Sequence, residues 1–358
     1  IVLENTASTT DSPAGTVVID VDANDGDGGA TDAGLTYALV NGNDDPDGDG
    51  NAAFAIDPVS GVITVNDETD LNLHRQSSFT LQVRATDTGI DHTTSTANVV
   101  INIADVSESY VVTTTDLEGY DGGTLAEETA DGTGLSLSEA IGLANAGSAA
   151  DLIEFDASLS GSTILLTGTR MTISEDLTID GDIDNDGQSD ITIDGAQSTG
   201  VTRQHFEISA KTTTLYGLNL TRGRGQVSNN GGIDVRAGAT LNFYNSQLVD
   251  GFSYAGVSGI DNAGTTNIRN SQINGHFNYI YGNGISGIRN QAGATLNIVN
   301  SSLTGNSTLG TAGYTAEQAG IVNYGTAQLV NVTIADGDSF RGHVGFSNKS
   351  GGTAALTH

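Results

Sequence analysis

Short runs of alternating apolar and polar residues fill the first hundred positions, at 15–21, 35–40, 54–57, 61–65, 79–85 and 97–103. Alternation puts every second side chain on one face, as a strand with one buried side requires, and turn residues separate the runs. About seven short strands in this order predict a β-sandwich. The pattern changes after Glu108. Residues 135–146 carry apolar side chains at helical spacing, with Ser136 or Ser138 placed to cap, and predict one helix. Beyond it come strand runs at 153–155 and 163–166, then two of the form Leu/Ile-Thr-Ile-Asp-Gly at 177–181 and 191–195.

From there the chain repeats itself. Gly232-Ile233, Gly259-Ile260, Gly287-Ile288, Gly320-Ile321 and Gly345-Phe346 recur after 27, 28, 33 and 25 residues, the spacing of solenoid coils. In each unit an Asn follows a strand (Asn245, Asn270, Asn300, Asn331), flanked by Leu241 and Phe243, Thr266 and Ile268, Leu296 and Ile298, and Ala327 and Leu329. Leu248, Ile273, Leu303 and Ile334 stand three residues after it. All of these, the Asn included, are expected to line up as inward columns in coils that rise by roughly 4.8 Å. A second set, Asn262, Asn290, Asn323 and Asn348, falls at another corner, with Val235 as its exception in the first coil. An amide left unpaired inside would cost about 1 to 3 kcal/mol, so the repeated Asn are expected to bond one another from coil to coil. The Asn-x-Ser/Thr strings at Asn300 and Asn331 lie in such a column, which weakens them as glycosylation signals.

The expected architecture is all-β: a β-sandwich over residues 1–109 and a parallel β-helix over 110–358. The latter divides into a capping region at 110–150, an acidic region at 176–195 and regular coils at 232–358. In 358 residues, 48 Gly and 3 Pro with 37 % hydrophobic residues fit short strands and tight turns, not disorder. The absence of Cys excludes a disulfide framework, a thiol nucleophile and a Cys-ligated zinc. A net charge of −32 repels nucleic acid and anionic membranes, and no apolar run reaches membrane-spanning length. The chain opens at Ile1, with neither Met nor a signal peptide, and is expected to be a processed chain or an excerpt.

The charge is uneven. Residues 1–109 hold 19 acids and 2 bases, 110–200 hold 18 and 1, and 201–358 hold 7 and 9. Acidity confined to a region rich in Asp-x-Asp strings points to cation sites. The sharpest is Asp182-Ile183-Asp184-Asn185-Asp186-Gly187-Gln188-Ser189-Asp190, between the two Thr-Ile-Asp-Gly strands. Acids at loop positions 1, 3, 5 and 9, Gly at 6 and the Gln188 carbonyl at 7 supply the oxygen shell that calcium requires. Two carboxylates held 4 Å apart repel by about 4 kcal/mol at an effective dielectric of 20, so such a loop needs a cation or full exposure to solvent. The string Asp45-Pro46-Asp47-Gly48-Asp49-Gly50-Asn51 repeats the start of this pattern but has Ala53 at position 9, and reads as a weak calcium loop or a solvated insertion.

Enzymatic constellations are scarce. Asp234, Asp250, Asp261, Asp336 and Asp338 are expected at different places in the repeat and so are not expected to stack into one patch; a hydrolase with Asp234 and Asp261 as paired acids is the alternative. His276 and His343 lack ligand spacing and read as surface residues. Phe252 and Tyr254, with Phe277, Tyr279 and Tyr281, are expected in long turns, where they either pack on the neighbouring turn or stack on sugar rings, the latter reading resting on Phe277, Tyr279 and Tyr281.

Two stretches resemble known families. Leu3-Glu4-Asn5, Gly15-Thr16-Val17, Val21-x-Ala23-x-Asp25-x-Asp27, Leu35-Thr36-Tyr37, Phe54-x-Ile56-Asp57, Ser60-Gly61-Val62-Ile63, Leu81-x-Val83-x-Ala85-x-Asp87 and Asp105-Val106 follow one another as in a cadherin repeat. That resemblance implies inter-module calcium ligands at Glu4 and Asp105, and at Asp25 and Asp27 toward a preceding repeat. The family's Leu-Asp-x-Glu string is replaced by Leu71-Asn72-Leu73-His74, and its linker continues here as Ser107-Glu108. Residues 135–141 resemble the CSLREAI region that opens many secreted bacterial right-handed β-helices, with Leu135 in place of Cys and Ser138 in place of Arg. A helix there would cover the first coil.

The resulting expectation is a cadherin-like sandwich followed by a right-handed parallel β-helix with an N-terminal capping helix. Its role would be non-enzymatic: a structural and adhesive module, stiffened by calcium, of an extracellular or cell-surface bacterial fibre, sheath or giant adhesin. The alternatives are a glycan-binding adhesin tip and a polysaccharide lyase or hydrolase. The expected partners are neighbouring modules or head-to-tail copies of the chain, and glycans in the alternative reading. Nucleic acid and membrane insertion are not expected.

Overall fold

The computed structural model describes residues 1–4, 12–24, 34–89, 93–168, 170–196, 202–225, 230–279, 284–309, 318–339 and 343–357, with the side chains of 309, 318, 319 and 343 excepted. Asp25, Asp27 and Tyr281 lie outside the described residues. The chain forms two compact units, Ile1–Glu108 with Gly122–Thr124, and Ser109–Asp121 with Leu125–His358.

In the first unit, Val2–Leu3, Thr94–Ala104, Ser78–Asp87 and Leu35–Asn41 form a four-stranded sheet, and Val17–Asp20, Val62–Val65 and Phe54–Ile56 a three-stranded one. The alternation in the sequence sets which face each side chain takes. Along Ser78–Asp87, Phe79, Leu81 and Val83 are buried while Thr80 and Arg84 are exposed. Phe79 meets Phe54 edge-on at 5.0 Å, and Ile63, Val65, Leu71 and Ile101 complete the core.

The second unit is a parallel β-helix. Its strands pair from coil to coil in the register set by the repeat: Ile233 with Ile260, Ile260 with Ile288, Ile288 with Ile321, and Ile321 with Phe346. On another side Phe243, Ile268, Ile298 and Leu329 form a second apolar column. Stacking starts well before residue 232, with Ser109–Val112 already pairing with Asp151–Phe155.

The first set of Asn departs from expectation. Asn245, Asn270, Asn300 and Asn331 have φ of 48°, 50°, 49° and 51°, so each turns a corner in the left-handed region, which Asn tolerates better than most residues. This directs their side chains outward: Asn270, Asn300 and Asn331 are exposed, and Asn331 donates to Asn300 Oδ1 at 3.0 Å. Of the second set, Asn262, Asn290 and Asn323 are buried as expected, while Asn348 in the last coil is exposed. Asn262 donates to Asn290 at 2.7 Å, Asn290 to Asn323 at 2.6 Å and Asn323 to Asn348 at 2.6 Å. The same amides donate to the carbonyls of Thr295, Thr326 and Thr353 one coil on. An unforeseen third ladder runs along the half-buried outer face, from Asn297 to Asn267 at 2.8 Å and from Asn267 to Asn242 at 2.9 Å.

The capping helix is Leu137–Ala146 (α2), preceded by an unforeseen short helix, Leu125–Ala130 (α1). Ser136 is the N-cap of α2: its hydroxyl accepts from Glu139 N, and the Glu139 carboxylate accepts from Ser136 N at 2.8 Å. Leu137, Ala140, Ile141, Leu143 and Ala144 turn inward onto a core that includes Tyr110, Val112, Ile153 and Ile173. The helix therefore covers the first coil.

Candidate metal centres

Among the described residues, the Asp182–Asp190 loop brings carboxylate oxygens of Asp182, Asp184 and Asp190 within 4.8 Å of one another. The backbone curls around them. Asn185 (φ 59°) and Gly187 (φ 84°) take left-handed conformations, and Asp182 accepts from Asp186 N at 3.0 Å and Gly187 N at 2.8 Å. Asp190 accepts from Ile183 N at 2.9 Å and is steadied by the Ser160 hydroxyl at 3.1 Å. Asp186 stands apart from the trio, its carboxylate accepting from the backbone and side-chain amides of Gln188 at 2.8 and 2.7 Å. The nearby Asp180 carboxyl is pushed up, first by burial and then by the charges of Asp182 and Glu154. A half-enclosed trio of carboxylates in a tight turn suits a hard cation that takes oxygen ligands.

In the first unit, Asp45, Asp47 and Asp49 also place carboxylate oxygens within 4.8 Å of one another. Asp45 accepts from Gly48 N and Gly50 N at 2.7 and 2.9 Å, and Thr69 Oγ1 donates to Asp47 at 2.7 Å. That hydroxyl is the main cause holding the Asp47 carboxyl below its ordinary value. The sequence reading missed Asp70. It is fully buried beside this loop, its Oδ1 accepts from Asp47 N at 3.2 Å, and its Oδ2 meets no hydrogen-bond donor. Burial, joined by the charges of Asp47, Asp67 and Asp45, pushes it up to about 6. A ligand from outside the loop leaves no trace in the loop's own spacing, although Asp67-x-x-Asp70 was visible as an acidic string.

The third trio is Glu4, Asp105 and Glu108, again within 4.8 Å. Glu4 is 1 % exposed, and its two oxygens accept from Val106 N and Leu73 N, each at 3.1 Å. Burial above all, then Asp105 and Glu108, push its carboxyl up to about 8. Glu108 occupies the stretch where the sequence departs from the cadherin linker, and it contributes an acid there. At Leu73, within the replaced Leu-Asp-x-Glu string, it is a backbone amide that reaches Glu4.

Residues 5–104 match the cadherin domain family. Over 111 residues, 31 % of this chain, the sequence is 32 % identical to Protocadherin Fat 4 of Homo sapiens. Over 99 residues, 28 % of this chain, it is 35 % identical to Protocadherin Fat 4 of Mus musculus. The matched stretch amounts to 2 % of each relative's length. A cadherin domain is an adhesion-type module that generally binds calcium, and the trio at Glu4 lies at the C-terminal boundary of this one. Among the described residues, no helix is long and apolar enough to cross a membrane.

The β-helix corrects three further expectations. Its acids do stack: Glu207 pairs in register with Asp234, Asp234 with Asp261, and Asp261 with Arg289. The row is engaged along its length. Glu207 meets Arg170 at 2.8 Å and also Arg236, Arg289 Nε and Gln291 Nε2 donate to Asp261 at 2.7 and 2.8 Å, and Asn230 bridges Asp234 and Asp261. His276 is fully buried, not at the surface; the described side chains do not include His343. Phe252, Phe277 and Tyr279 lie in strands of a separate sheet instead of loose turns, and Tyr254 directly follows one of these strands. Phe252 and Phe277 pair in register with their rings stacked at 5.9 Å, Tyr254 meets Tyr279 at 6.3 Å, and Arg224 lies 4.7 Å over the Phe252 ring. Phe277 and Tyr279 are thus half-buried in an aromatic column.

Proposed function

We propose that this chain is a non-enzymatic structural and adhesive module of an extracellular or cell-surface protein, stiffened by calcium. The carrying observation is that carboxylate trios recur in both units, one of them built around the buried Glu4 of the cadherin domain. Glu4, Asp105 and Glu108 would hold one ion, Asp182, Asp184 and Asp190 another, and Asp45, Asp47 and Asp49 with Asp70 a third. Bound calcium supplies a positive charge that lets these carboxylates stay ionised side by side. The neighbours of such a module would be further modules or copies of itself. The likeness of residues 135–141 to the opening of secreted bacterial β-helices supports a bacterial fibre, sheath or giant adhesin as its setting.

Chelation is expected to lower the melting temperature, and Asp184→Ala to remove most of the shift that arises in the β-helix. At free calcium one hundred times its dissociation constant, a single site adds about 2.7 kcal/mol. Identical melting curves in chelator and in calcium would sink the proposal.

Among the described residues, the row Glu207, Asp234 and Asp261 is the arrangement that favours an enzyme acting on polysaccharides. Its carboxylates are covered and paired with Arg, Asn and Gln, which supports a structural role. No turnover of acidic polysaccharides is expected. A robust activity abolished by Asp234→Asn or Asp261→Asn would overturn this part.

A further inference from the structure

We propose that the cap of the β-helix is itself a calcium site, formed by Glu118, Asp121, Glu128, Asp131 and Glu139. Its acids are scattered over twenty-two positions of the sequence without an Asp-x-Asp string, and the fold gathers them. Glu118, Asp131 and Glu139 place carboxylate oxygens within 4.8 Å of one another, as do Asp121, Glu128 and Asp131. Asp131 belongs to both groups and joins them.

The observation that points to a ligand is Glu139. It is 1 % exposed, and its Oε2 is committed to Ser136 N at 2.8 Å in the capping box. Its other oxygen, Oε1, is buried and has no hydrogen-bond partner. A buried carboxylate oxygen without a donor is destabilising unless something positive meets it. No side chain of the neighbouring sequence supplies that charge, since neither Lys nor Arg occurs between Arg84 and Arg170.

The frame around the acids is packed. Leu117, Tyr120 and Leu125 are partly buried against the core, and the Ser136 hydroxyl donates to the Glu118 carbonyl at 3.2 Å. A Cβ on Gly142 would lie 2.1 Å from Tyr120 Cβ, so the absence of a side chain on α2 lets this loop press against the helix. Carboxylates from a loop, a short helix, a turn and a capping position form an irregular set of hard oxygen donors, which calcium accommodates better than magnesium. The ion would tie the 117–121 loop, α1 and the 131 turn to α2, the helix that covers the first coil.

The site stands independently of the trios proposed above, and calorimetric titration of the chelator-treated full chain with calcium chloride separates them. Asp131→Asn alters an exposed member of both groups, and Glu139→Gln keeps the capping box, which accepts Gln. Each is expected to remove one calcium ion per chain or weaken one binding phase at least tenfold, while raising the melting temperature in chelator. Asp184→Ala should leave that phase intact. Unchanged stoichiometry and affinity in Asp131→Asn would overturn the cap site whatever Asp184→Ala does. A loss in Asp131→Asn with none in Asp184→Ala would establish the cap site and fail the Asp182–Asp190 loop instead. Should Glu139→Gln not fold, Asp131→Asn alone decides.

Discussion

Acidification from pH 6.5 to 4 is expected to destabilise the β-helix by several kcal/mol, because two imidazoles are sealed inside it. His205 and His276 are both fully buried, with Nε2 at 3.0 Å from the Thr221 carbonyl and 2.9 Å from the Leu248 carbonyl. Burial is the main cause lowering each ring from 6.5 to about 4. Between those two values the unfolded chain takes up protons on both rings and the folded chain does not. Stability is therefore full above about pH 6.5 and falls as the pH drops toward 4, by about 3 kcal/mol for each ring. The informative variant is His276→Asn. Phe277 pairs with Ser307, so Asn306 occupies the same column one coil further on and shows that the column accepts an amide. Denaturant unfolding in chelator at pH 7, 6, 5 and 4 should show the variant losing about half as much stability over this range as the parent chain. A pH dependence that is the same in both would refute the assignment.

Asn290→Ala is expected to cost about 3 kcal/mol or more. Asn290 accepts from Asn262 at 2.7 Å and donates to Asn323 Oδ1 and the Thr326 carbonyl at 2.6 and 3.0 Å, all in a buried column. Truncation would deprive groups on both sides of a partner at a depth where water does not replace it. Asn267→Ala removes a comparable pair of amide bonds from the half-buried outer ladder and should cost about 1 kcal/mol. Equal losses in the two variants would show that burial does not set the worth of these ladders.

The Gly-Ile column and the buried Asn ladder were legible because each coil spends one residue type on one inward place, and the count between them survives loops of different length. The direction of Asn245, Asn270, Asn300 and Asn331 was not, since alternation along a strand says nothing about the corner that ends it. Glu207, Asp234 and Asp261 were readable in principle: they are 27 residues apart, the same interval that separates Gly232 from Gly259. His276 depended on its opposite number. A Cβ on Gly251 would come within 2.5 Å of His276 Nδ1, so the room for the ring is made one coil away. Asp70 and the acids of the cap reach their neighbours only through tertiary folding, and no local spacing announces them.

The pairing of Val2–Leu3 in the cadherin domain bears on how the chain carries load. Val2 lies opposite Ile103 and Leu3 opposite Ala104, in a parallel pair, and Glu4 N adds a bond to the Ala104 carbonyl at 3.0 Å. Tension applied through the two ends of this domain pulls parallel strands in opposite directions along their own axes. Their hydrogen bonds are then loaded together in shear instead of opening one at a time. Glu4, Asp105 and Glu108 sit at the end of that clamp, so an ion held there would brace the point where an external force enters the domain.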